Sequence, residues 1–320
     1  MSADVAVDGV SRRRIRARAS AKVNLQLSVG ARREDGYHPL ATVFQAVDLY
    51  ETLTAAVRPD DRITVTVEAA DTFAGVLAGV PLDHTNLAWR AAQAVRTRFG
   101  ITDGIDLAIV KGVPIAGGMA GGSADAAAAL VACAEAWDCG ATRADLMELA
   151  AQLGADVPFA LMGHTAVGLG RGDELSPAMT RGEFHWVFAL DRDGLSTPEV
   201  FAAFDRQVER RGRPPAPPQV SEVVMAALMS GDPTYLGAAL TNDLQEAALT
   251  LAPRLYGVIE ACEQADAAGV VVSGSGPTVA ALARDRHHAR DMAADLSSRN
   301  IADAVVTASG PATGAVVLEG

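Results

Sequence analysis

The sequence predicts an α+β protein made of two domains. Segments with strand patterns and segments with helix patterns follow one another without the strict β-α-β alternation of a parallel sheet. The chain has 320 residues, more than one typical core, and it is 49% hydrophobic and 21% charged, as folded proteins are. A disordered chain would contain far fewer apolar residues. We predict the two domains at residues 1–175 and 176–320.

The first domain is predicted to begin with strands and a helix. Apolar and polar residues alternate at residues 14–30 and 62–69, as in half-buried strands. Residues 85–100 predict a helix with a threonine or asparagine cap and a closing glycine. Residues 105–114 return to a strand pattern and lead directly into a glycine-rich loop.

Two more helices are predicted after that loop. The first begins near Ser123, which stands where an N-cap belongs, and continues through an alanine-rich segment of high helix propensity. The second covers residues 142–154, with Thr142 as its cap. A loop at 155–159 and a strand pair or turn at 165–175 complete the domain.

The second domain is predicted to begin with a strand at residues 184–190. Helices follow, interrupted by a proline cluster at 213–218 that we interpret as a surface connection. Residues 268–283 predict a strand, a glycine turn and then a strand or helix, and the chain ends in a similar way after residue 297.

Charge and cysteine content narrow the class of protein. With 27 basic and 39 acidic residues the net charge is −12, which repels polyanions and argues against nucleic-acid binding. The arginine cluster at residues 12–18 is interpreted mainly as a solvated leader, with anion steering as the alternative. Cys133, Cys139 and Cys262 have neither disulfide-framework nor metal-site spacing, so a cytoplasmic protein is expected. No apolar run approaches the ~20 residues that span a bilayer, so no membrane partner is expected, and the oligomeric state stays open.

The glycine loop at residues 117–122 holds four glycines immediately before a helix. The dinucleotide pattern GxGxxG fails, because Met119 stands two positions after Gly117. The Walker A pattern fails because Ser123 stands where lysine is required, although Gly117 and Gly122 have its spacing. A glycine turn before a helix N-terminus still offers unpaired N–H donors and a partial positive charge, so we predict phosphate binding. A tight strand-to-helix turn that needs close packing is the alternative.

Three segments resemble the motifs of the GHMP kinase superfamily, which includes galactokinase, homoserine kinase and mevalonate kinase. They are "ASAKVNLQLSVGARREDGYHPL" at 19–40, "PIAGGMAGGSADAA" at 114–127 and "VVSGSGPTVAAL" at 271–282. With "LGADVPFALMGHTAVGLGRGDEL" at 153–175 and "LSTPEVF" at 195–201, the chain is similar to the members that phosphorylate a cytidine-diphosphate-linked methylerythritol. The resemblance runs in order from about residue 17 to residue 283.

The resemblance implies a two-domain GHMP kinase fold with the active site in the interdomain cleft. It implies a small-molecule kinase of the non-mevalonate isoprenoid pathway that transfers phosphate from ATP, the co-substrate, to a 2-hydroxyl, with Mg²⁺ accompanying the ATP. Ala116 and Ala124 depart from the commoner loop of this family, but both are small and leave the backbone donors intact. Ser123 is available as a metal ligand, whereas no matching glutamate is identified.

The resemblance also implies two catalytic residues. Lys22 would hold the acceptor oxygen and stabilise negative charge during transfer, although an isolated lysine in an alternating strand would otherwise be solvated. Asp156 would accept the hydroxyl proton, and Lys22 nearby would keep it ionised; a helix cap or Asx turn before Pro158 is the alternative.

The substrate site is implied by residues from three segments. Tyr37 would stack on the cytosine ring with Phe201 on its other face, or the loop that carries Tyr37 could be a simple turn with an aromatic lid. His38 and Thr197 would supply polar contacts to the base or its ribose. Asn24 would point from the first strand to the substrate.

The nucleotide site is implied by the glycine loop and one asparagine. Asn86 corresponds to an asparagine near the adenine, with helix capping as the alternative. The segment at residues 273–277 is expected to shape the cleft. The residues expected to surround the triphosphate are Pro114, Ile115, Ala116, Gly117, Gly118, Met119, Ala120, Gly121, Gly122, Ser123 and Ala124.

Three other interpretations stay open from the sequence. Another small-alcohol kinase of the superfamily would share the glycine loop but would have no cytosine to stack, so the Tyr37 and Phe201 segments argue against it. A catalytically silent member that binds nucleotide would have no chemical need for both Lys22 and Asp156. A nucleic-acid patch at the arginine cluster conflicts with the acidic net charge and the lack of interleaved aromatic residues.

Overall fold

The computed structural model describes residues 13–70, 79–114 and 117–319. Its strands are β1 (Arg14–Val29), β2 (Leu40–Arg58), β3 (Ile63–Ala69), β4 (Gly104–Lys111), β5 (Thr165–Gly170), β6 (Glu174–Pro177), β7 (Phe184–Leu190), β8 (Thr241–Asn242), β9 (Gly269–Val272), β10 (Val279–Ala283), β11 (Ala304–Gly310) and β12 (Val316–Leu318). Its helices are α1 (Leu87–Phe99), α2 (Gly121–Ala136), α3 (Arg143–Leu153), α4 (Val157–Met162), α5 (Thr197–Arg211), α6 (Glu222–Ser230), α7 (Pro233–Ala239), α8 (Gln245–Leu251), α9 (Leu255–Gln264) and α10 (Arg286–Ser298). The α+β prediction is confirmed.

The strands form two sheets. The larger sheet has the order β12-β1-β2-β4-β3, with β5 and β6 continuing from β2 and β8 beside β1. The smaller sheet is antiparallel, in the order β11-β7-β10-β9. Both β8 and β12 come from the second half of the chain but pair with β1. The predicted domain boundary at residues 175 and 176 falls within β6 and stays a prediction.

The sheets meet through an apolar layer. Val23 and Leu25 of β1 pack with Trp186 and Phe188 of β7 in one buried cluster. Because side chains alternate across a strand, Lys22 and Asn24 point to the opposite face. That face borders the cleft between the two halves of the molecule.

The strand β2 is the main element that the sequence patterns missed. It has 19 residues and pairs with β1 from Leu40 to Ala56, with register shifts after Ser20 and Asn24 of β1. Its residues 41–47 are buried on both faces of the sheet. A strand buried on both faces lacks the apolar and polar alternation that identifies a half-buried strand.

Helix ends follow the predictions in two cases and depart from them in one. Asn86 caps α1, and Thr142 caps α3 through a capping box with Asp145. The prediction that Ser123 caps α2 is wrong, because α2 already begins at Gly121 after Ala120, whose φ is 62°. Ser123 therefore lies in the first turn, where backbone N–H groups have no partner within the helix.

The alanine-rich composition of α2 follows from its position. The helix packs against the sheet and against α1, α3 and α4, so that it is buried on nearly all sides, including Ala126–Leu130 at 0% exposure. Side chains larger than alanine would hold these neighbours apart. The beginning of α2 is thus held by packing along its length.

Three remaining sequence observations concern the chain as a whole. Arg13 is exposed and pairs with Glu135 and Asp138, and the cluster continues into β1; Arg12 lies outside the described residues. All three cysteines are unpaired. Of the helices in the described ranges, none is long and apolar enough to cross a membrane.

Candidate active site

A cleft of about 890 Å³ collects residues from both halves of the chain. Its walls come from β1, the 36–44 segment, the glycine loop, the 154–156 turn, the start of α5 and the 274–276 turn. The predicted site residues that line it are Lys22, Asn24, Tyr37, His38, Pro114, Gly117, Gly118, Ala120, Gly121, Gly122, Ser123, Asp156, Thr197 and Phe201. The structure therefore brings together residues that are up to 179 positions apart in sequence (201 − 22).

Lys22 is a buried cation at the centre of the cleft. It lies in the middle of β1, with only 6% of the residue exposed. Burial lowers the pKa of the ammonium, and the nearby Asp156 carboxylate partly opposes that shift. The ammonium donates to Asn24 Oδ1 at 2.7 Å and lies 5.8 Å from the centre of the Phe44 ring. Lys22 is thus a preorganised charge with limited access to water.

A chain of hydrogen bonds fixes Asn24 beside Lys22. The amide nitrogen of Asn24 donates to Thr42 Oγ1 at 2.8 Å, and the Thr42 hydroxyl donates to the Gln26 carbonyl at 2.6 Å. Asn24 and Thr42 are both almost fully buried. The amide oxygen of Asn24 therefore points at Lys22, and Thr42 determines that orientation.

Asp156 lies across the cleft, at the start of α4. It is half-buried, and its backbone is in the N-cap position before Val157 and Pro158. Within the described part of the chain its carboxylate makes no capping bond to α4, so the capping alternative does not occupy the side chain. The carboxylate is left to face the cleft and Lys22.

The glycine loop presents the N-terminus of α2 to the cleft. Gly121, Gly122 and Ser123 form the first turn, and the first intrahelical bond of that end runs from Ala124 N–H to the Ala120 carbonyl. The amides of that first turn have no partner within the helix, and together with the helix dipole they favour a bound anion.

Close packing also explains most of these glycines. A Cβ on Gly118, whose φ is +74°, would lie 2.2 Å from the Ser273 carbonyl oxygen, and one on Gly117 would lie 2.8 Å from Thr278 Oγ1. At Gly122 the nearest atom would be 3.7 Å away, in ordinary contact. Both interpretations of the loop sequence, close packing and phosphate binding, therefore agree with its structure. The loop is tightly packed at Gly117 and Gly118 and open towards the cleft at Gly122.

Several of the residues that were predicted to bind ATP do not turn their side chains towards the cleft. Met119 and Ala124 are fully buried in the core and are not among the cleft-lining residues. Asn86 accepts from Ala88 N–H and donates to the Pro81 carbonyl, which is the capping alternative, and it is not among the cleft-lining residues. Ile115 and Ala116 lie outside the described residues.

The opposite end of the cleft is aromatic. His38 stacks on Phe201 with ring centres 4.9 Å apart, and its Nε2 lies 2.8 Å from Asp205 Oδ1. Tyr37 is 58% exposed at the rim, with the Arg171 guanidinium 5.9 Å from its ring centre. This end has flat surfaces and polar edges suited to a planar, hydrogen-bonding ring.

The two ends are joined by the 273–278 turn. Ser273 donates to the Gly118 carbonyl at 3.2 Å, and Ser275 Oγ lies 2.8 Å from Thr197 Oγ1. A Cβ on Gly274 would lie 3.0 Å from Lys22 Nζ. The turn therefore contacts the glycine loop, Lys22 and α5 at once, which agrees with its predicted role in shaping the cleft.

Oxygen ligands for a metal ion are few. Within residues 13–70, 79–114 and 117–319, no three His, Cys, Asp or Glu side chains are grouped as a metal site. Next to the glycine loop the cleft offers the Asp156 carboxylate and the Ser123 hydroxyl. This donor set suits a hard cation held mainly by oxygens of a bound phosphate.

Some residues of the site were not identified from the sequence. They are Thr42, which orients Asn24, Asp205, which contacts His38, and Arg171, beside Tyr37. Each acts on a residue from another segment, so no local pattern marks it. The acidic residue four positions after Phe201, on the same helical face, is the one signal that could have suggested Asp205.

Known proteins resemble this chain over most of its length. Residues 86–164 match the model of the GHMP kinases N terminal domain, and residues 224–302 match that of the GHMP kinases C terminal domain. The 4-diphosphocytidyl-2-C-methyl-D-erythritol kinase of Thermobifida fusca (strain YX) is 51% identical over 94% of this chain and 97% of its own. The enzyme of the same name from Kineococcus radiotolerans is 54% identical over 88% of this chain and 85% of its own.

Solved structures resemble it as well. A crystal structure of 4-(cytidine 5'-diphospho)-2C-methyl-D-erythritol kinase has a TM-score of 0.74 and 30% identity, and covers 92% of this chain and 98% of its own. Homoserine kinase from Cytophaga hutchinsonii has a TM-score of 0.70 at 17% identity, over 98% of this chain and 100% of its own. The second likeness concerns the fold alone.

Proposed function

The chain belongs to the GHMP kinases and, within them, to the family of 4-diphosphocytidyl-2-C-methyl-D-erythritol kinases, and from that premise we propose which residues carry out each part of the reaction. The reaction is the ATP-dependent phosphorylation of the 2-hydroxyl of 4-diphosphocytidyl-2-C-methyl-D-erythritol, in the non-mevalonate route to isoprenoid precursors. The observation that carries the assignment is that Lys22, Asp156 and the N-terminus of α2 face the same cleft.

Asp156 acts as the base. Its carboxylate accepts the proton of the 2-hydroxyl as that oxygen attacks the γ-phosphorus of ATP, and ADP leaves. The side chain makes no capping bond within the described chain, and it lies close enough to Lys22 to influence the pKa of the ammonium. An ionised carboxylate is the form that can take a proton.

Lys22 holds the acceptor oxygen and stabilises the charge that develops during transfer. Its ammonium is fixed by Asn24, and its burial strengthens its electrostatic effect because little water competes. Asn24 in turn is held by Thr42, so its contact with the substrate is made in a defined orientation. Positioning of this kind contributes much of the rate in phosphoryl transfer.

The glycine loop binds the triphosphate of ATP through its backbone. The open side at Gly122 supports this role, as do the N–H groups of the first turn of α2, which have no partner within the helix. Mg²⁺ is expected with ATP, and the Ser123 hydroxyl is the group that would hold it together with phosphate oxygens. When bound, such an ion neutralises charge on the transferring phosphate.

The aromatic end of the cleft binds the cytidine part of the substrate. Tyr37 stacks on the cytosine, and His38 supplies a polar edge in an orientation set by Phe201 and Asp205. Because Phe201 already stacks on His38, the structure supports its contact with the base only through an edge or its remaining face. Thr197, next to Ser275, lies where a ribose hydroxyl could be bound.

The expected location of the enzyme is the cytoplasm. All three cysteines are unpaired, as thiols are in a reducing compartment. The substrate and co-substrate are small molecules, and no nucleic-acid partner is proposed, since the net charge is −12.

A coupled assay of ADP release tests the proposed function. The enzyme is supplied with ATP and Mg²⁺ and with one of three alcohols: 4-diphosphocytidyl-2-C-methyl-D-erythritol, homoserine or mevalonate. Rapid turnover of the cytidylated substrate alone is the expected result. Turnover of another alcohol would agree with phosphate binding at the glycine loop but would contradict the proposed cytosine site. ATP binding without any turnover would indicate a catalytically silent member of the fold.

A further inference from the structure

Three ionisable side chains form a buried cluster below the glycine loop. Lys111 Nζ lies 2.5 Å from Glu51 Oε1 and 2.6 Å from Asp125 Oδ2. The three side chains are 4%, 0% and 5% exposed, so the cluster is closed to water, and none of them lines the cleft. We refer to Glu51, Lys111 and Asp125 as the buried triad.

The buried triad contacts the chain on both sides of the glycine loop. Before the loop, Lys111 ends β4, and the next N–H, that of Gly112, donates to Glu51 Oε2 at 2.9 Å. After the loop, Asp125 is the fifth residue of α2. A Cβ on Gly121 would lie 3.0 Å from Glu51 Oε1, so the helix begins directly against this carboxylate. One cluster thus fixes the distance between the end of β4 and the start of α2.

Stability alone is a poor explanation for the buried triad. Burying three ionisable groups is costly, and well-packed apolar residues at such positions are often as stable or more so. Asp125 Oδ1 has no hydrogen-bond partner among the described residues, although it is buried. An arrangement that carries this cost is better explained by the geometry that it imposes on the loop.

The charge state of the buried triad also suits an anion-binding loop. Two carboxyl groups share one ammonium, and the charged groups that face Glu51 are Lys111 from β4 and Asp125 from α2. Burial raises the pKa of both carboxyl groups, that of Glu51 to about 8. With one carboxyl protonated the cluster is neutral, so it does not repel a phosphate at the end of α2.

We propose that Glu51, Lys111 and Asp125 are positioning residues for ATP binding, which hold the two ends of the glycine loop so that the first-turn amides of α2 face the cleft. They touch neither substrate. This inference rests on the proposed function, because it assigns the loop to the triphosphate. The middle of the loop is held separately, since the Met119 carbonyl accepts from Lys22 N–H at 3.2 Å and the Gly118 carbonyl accepts from Ser273.

The test compares two substitutions of Asp125 with a control in the same helix. Asp125→Leu removes the acceptor of Lys111 with a side chain of the same branched shape, whereas Asp125→Asn keeps an acceptor oxygen in that place, removes the negative charge and replaces the other oxygen by an NH2 group. Leu130→Ala removes a fully buried side chain of α2 away from the triad, so it lowers stability without altering the loop. Thermal melting, ATP affinity by calorimetry and steady-state kinetics are measured for each variant.

We expect Asp125→Leu to raise the KM and the dissociation constant for ATP about tenfold, since small misplacement of binding groups is costly. The KM for the cytidylated substrate and kcat should stay within about twofold, and Asp125→Asn should resemble the unchanged enzyme. Leu130→Ala should lower the melting temperature and leave the KM for ATP unchanged. An ATP affinity that follows melting temperature across all three variants would overturn the proposal.

A second variant covers the case in which Asp125→Leu does not fold. In Glu51→Gln the amide nitrogen must face either Lys111 or the Gly112 N–H, both donors, so one of the two contacts is lost at constant size. Weaker ATP binding is expected here too, and unchanged ATP binding would overturn the proposal. Calorimetry needs no turnover, so a failure of the proposed reaction in the unchanged enzyme is distinguished from a failure of this inference.

Discussion

The two ends of the cleft present different chemical groups to a ligand. The glycine-loop end offers backbone N–H groups at the start of a buried helix, fixed by close packing on Ser273 and Thr278. The aromatic end offers side chains, and one of them, Tyr37, is 58% exposed. A backbone site recognises phosphate irrespective of the rest of the ligand, whereas the side chains decide which alcohol is accepted. Binding of ATP and choice of substrate should therefore respond to different substitutions.

The largest effect on turnover is expected from Asp156. Asp156→Asn removes the proton acceptor at constant size, so kcat should fall about 10²- to 10⁴-fold while the affinity for ATP changes little. Steady-state kinetics with both substrates measure this. Asp106→Asn, which alters an ion pair with Arg58 on the outer face of the larger sheet, is the matched control and should keep its turnover. Near-normal turnover of Asp156→Asn would exclude this residue as the base.

A pair of glycine substitutions separates packing from ligand access at the loop end. Gly118→Ala should destabilise the fold by several kcal/mol, because its Cβ would lie 2.2 Å from the Ser273 carbonyl and its φ is +74°. Gly122→Ala meets nothing nearer than 3.7 Å, so it should fold normally and weaken ATP binding only. Chemical denaturation and calorimetry distinguish the two effects. Equal stability of the two variants would contradict the packing at Gly118.

The buried support of the loop end should make stability depend on pH. Folded Glu51 keeps its proton up to about pH 8, whereas in the unfolded chain it ionises near its usual value of 4.5. Unfolding between these values releases a proton, so the free energy of unfolding should fall as pH rises, with a limiting slope of about 1.4 kcal/mol per pH unit. Urea denaturation from pH 5 to 8 measures the slope.

The same series with Glu51→Gln provides the control for that slope. This variant has no carboxyl group at the position, so its slope in this window should be smaller. Asp60 and Asp145, whose pKa values are lowered by their hydrogen bonds, titrate below the window and do not contribute. A slope of the same size in both proteins would place the titration elsewhere.

The smallest effect is expected at the rim of the aromatic end. Tyr37→Ala removes one stacking surface, worth about 1–3 kcal/mol per base, so the KM for the cytidylated substrate should rise about tenfold or more. The KM for ATP should not change. Tyr256→Ala, at a tyrosine of similar exposure in α9, is the control. Equal effects of Tyr37→Ala on the KM values of both substrates would show that the cytosine site is not at Tyr37. They would also contradict the separation of ATP binding and substrate choice between the two ends.

The local features of the structure could be predicted from the sequence. The strand before the glycine loop, the helix after it, and the caps Asn86 and Thr142 follow from short-range patterns. The resemblance to a known family named Lys22 and Asp156, and the structure places both in one cleft, while their roles stay predictions. The N-cap of α2 was predicted three residues too late, at Ser123, because the helix start depends on the left-handed backbone of Ala120 rather than on a capping side chain.

Contacts between distant segments could not be predicted from those short-range patterns. The pairing of β2 with β1, the Asn24–Thr42 bond and the contact between His38 and Asp205 join residues 11 to 167 positions apart. The buried triad joins three elements in the same way. Whether Asn86 caps a helix or faces a ligand was likewise left open by its neighbours, and in the structure its side chain caps α1.

By itself, the sequence determined the α+β class, the glycine turn before a helix and the family, because these depend on residue type and spacing along the chain. Only the tertiary structure decided that three loop glycines are needed for packing, that a buried ion cluster lies under the loop, and that His38 stacks on Phe201. The physical reason is that burial and close approach depend on which segments meet. Helix and turn propensities act over a few residues, whereas those meetings depend on how the whole core packs.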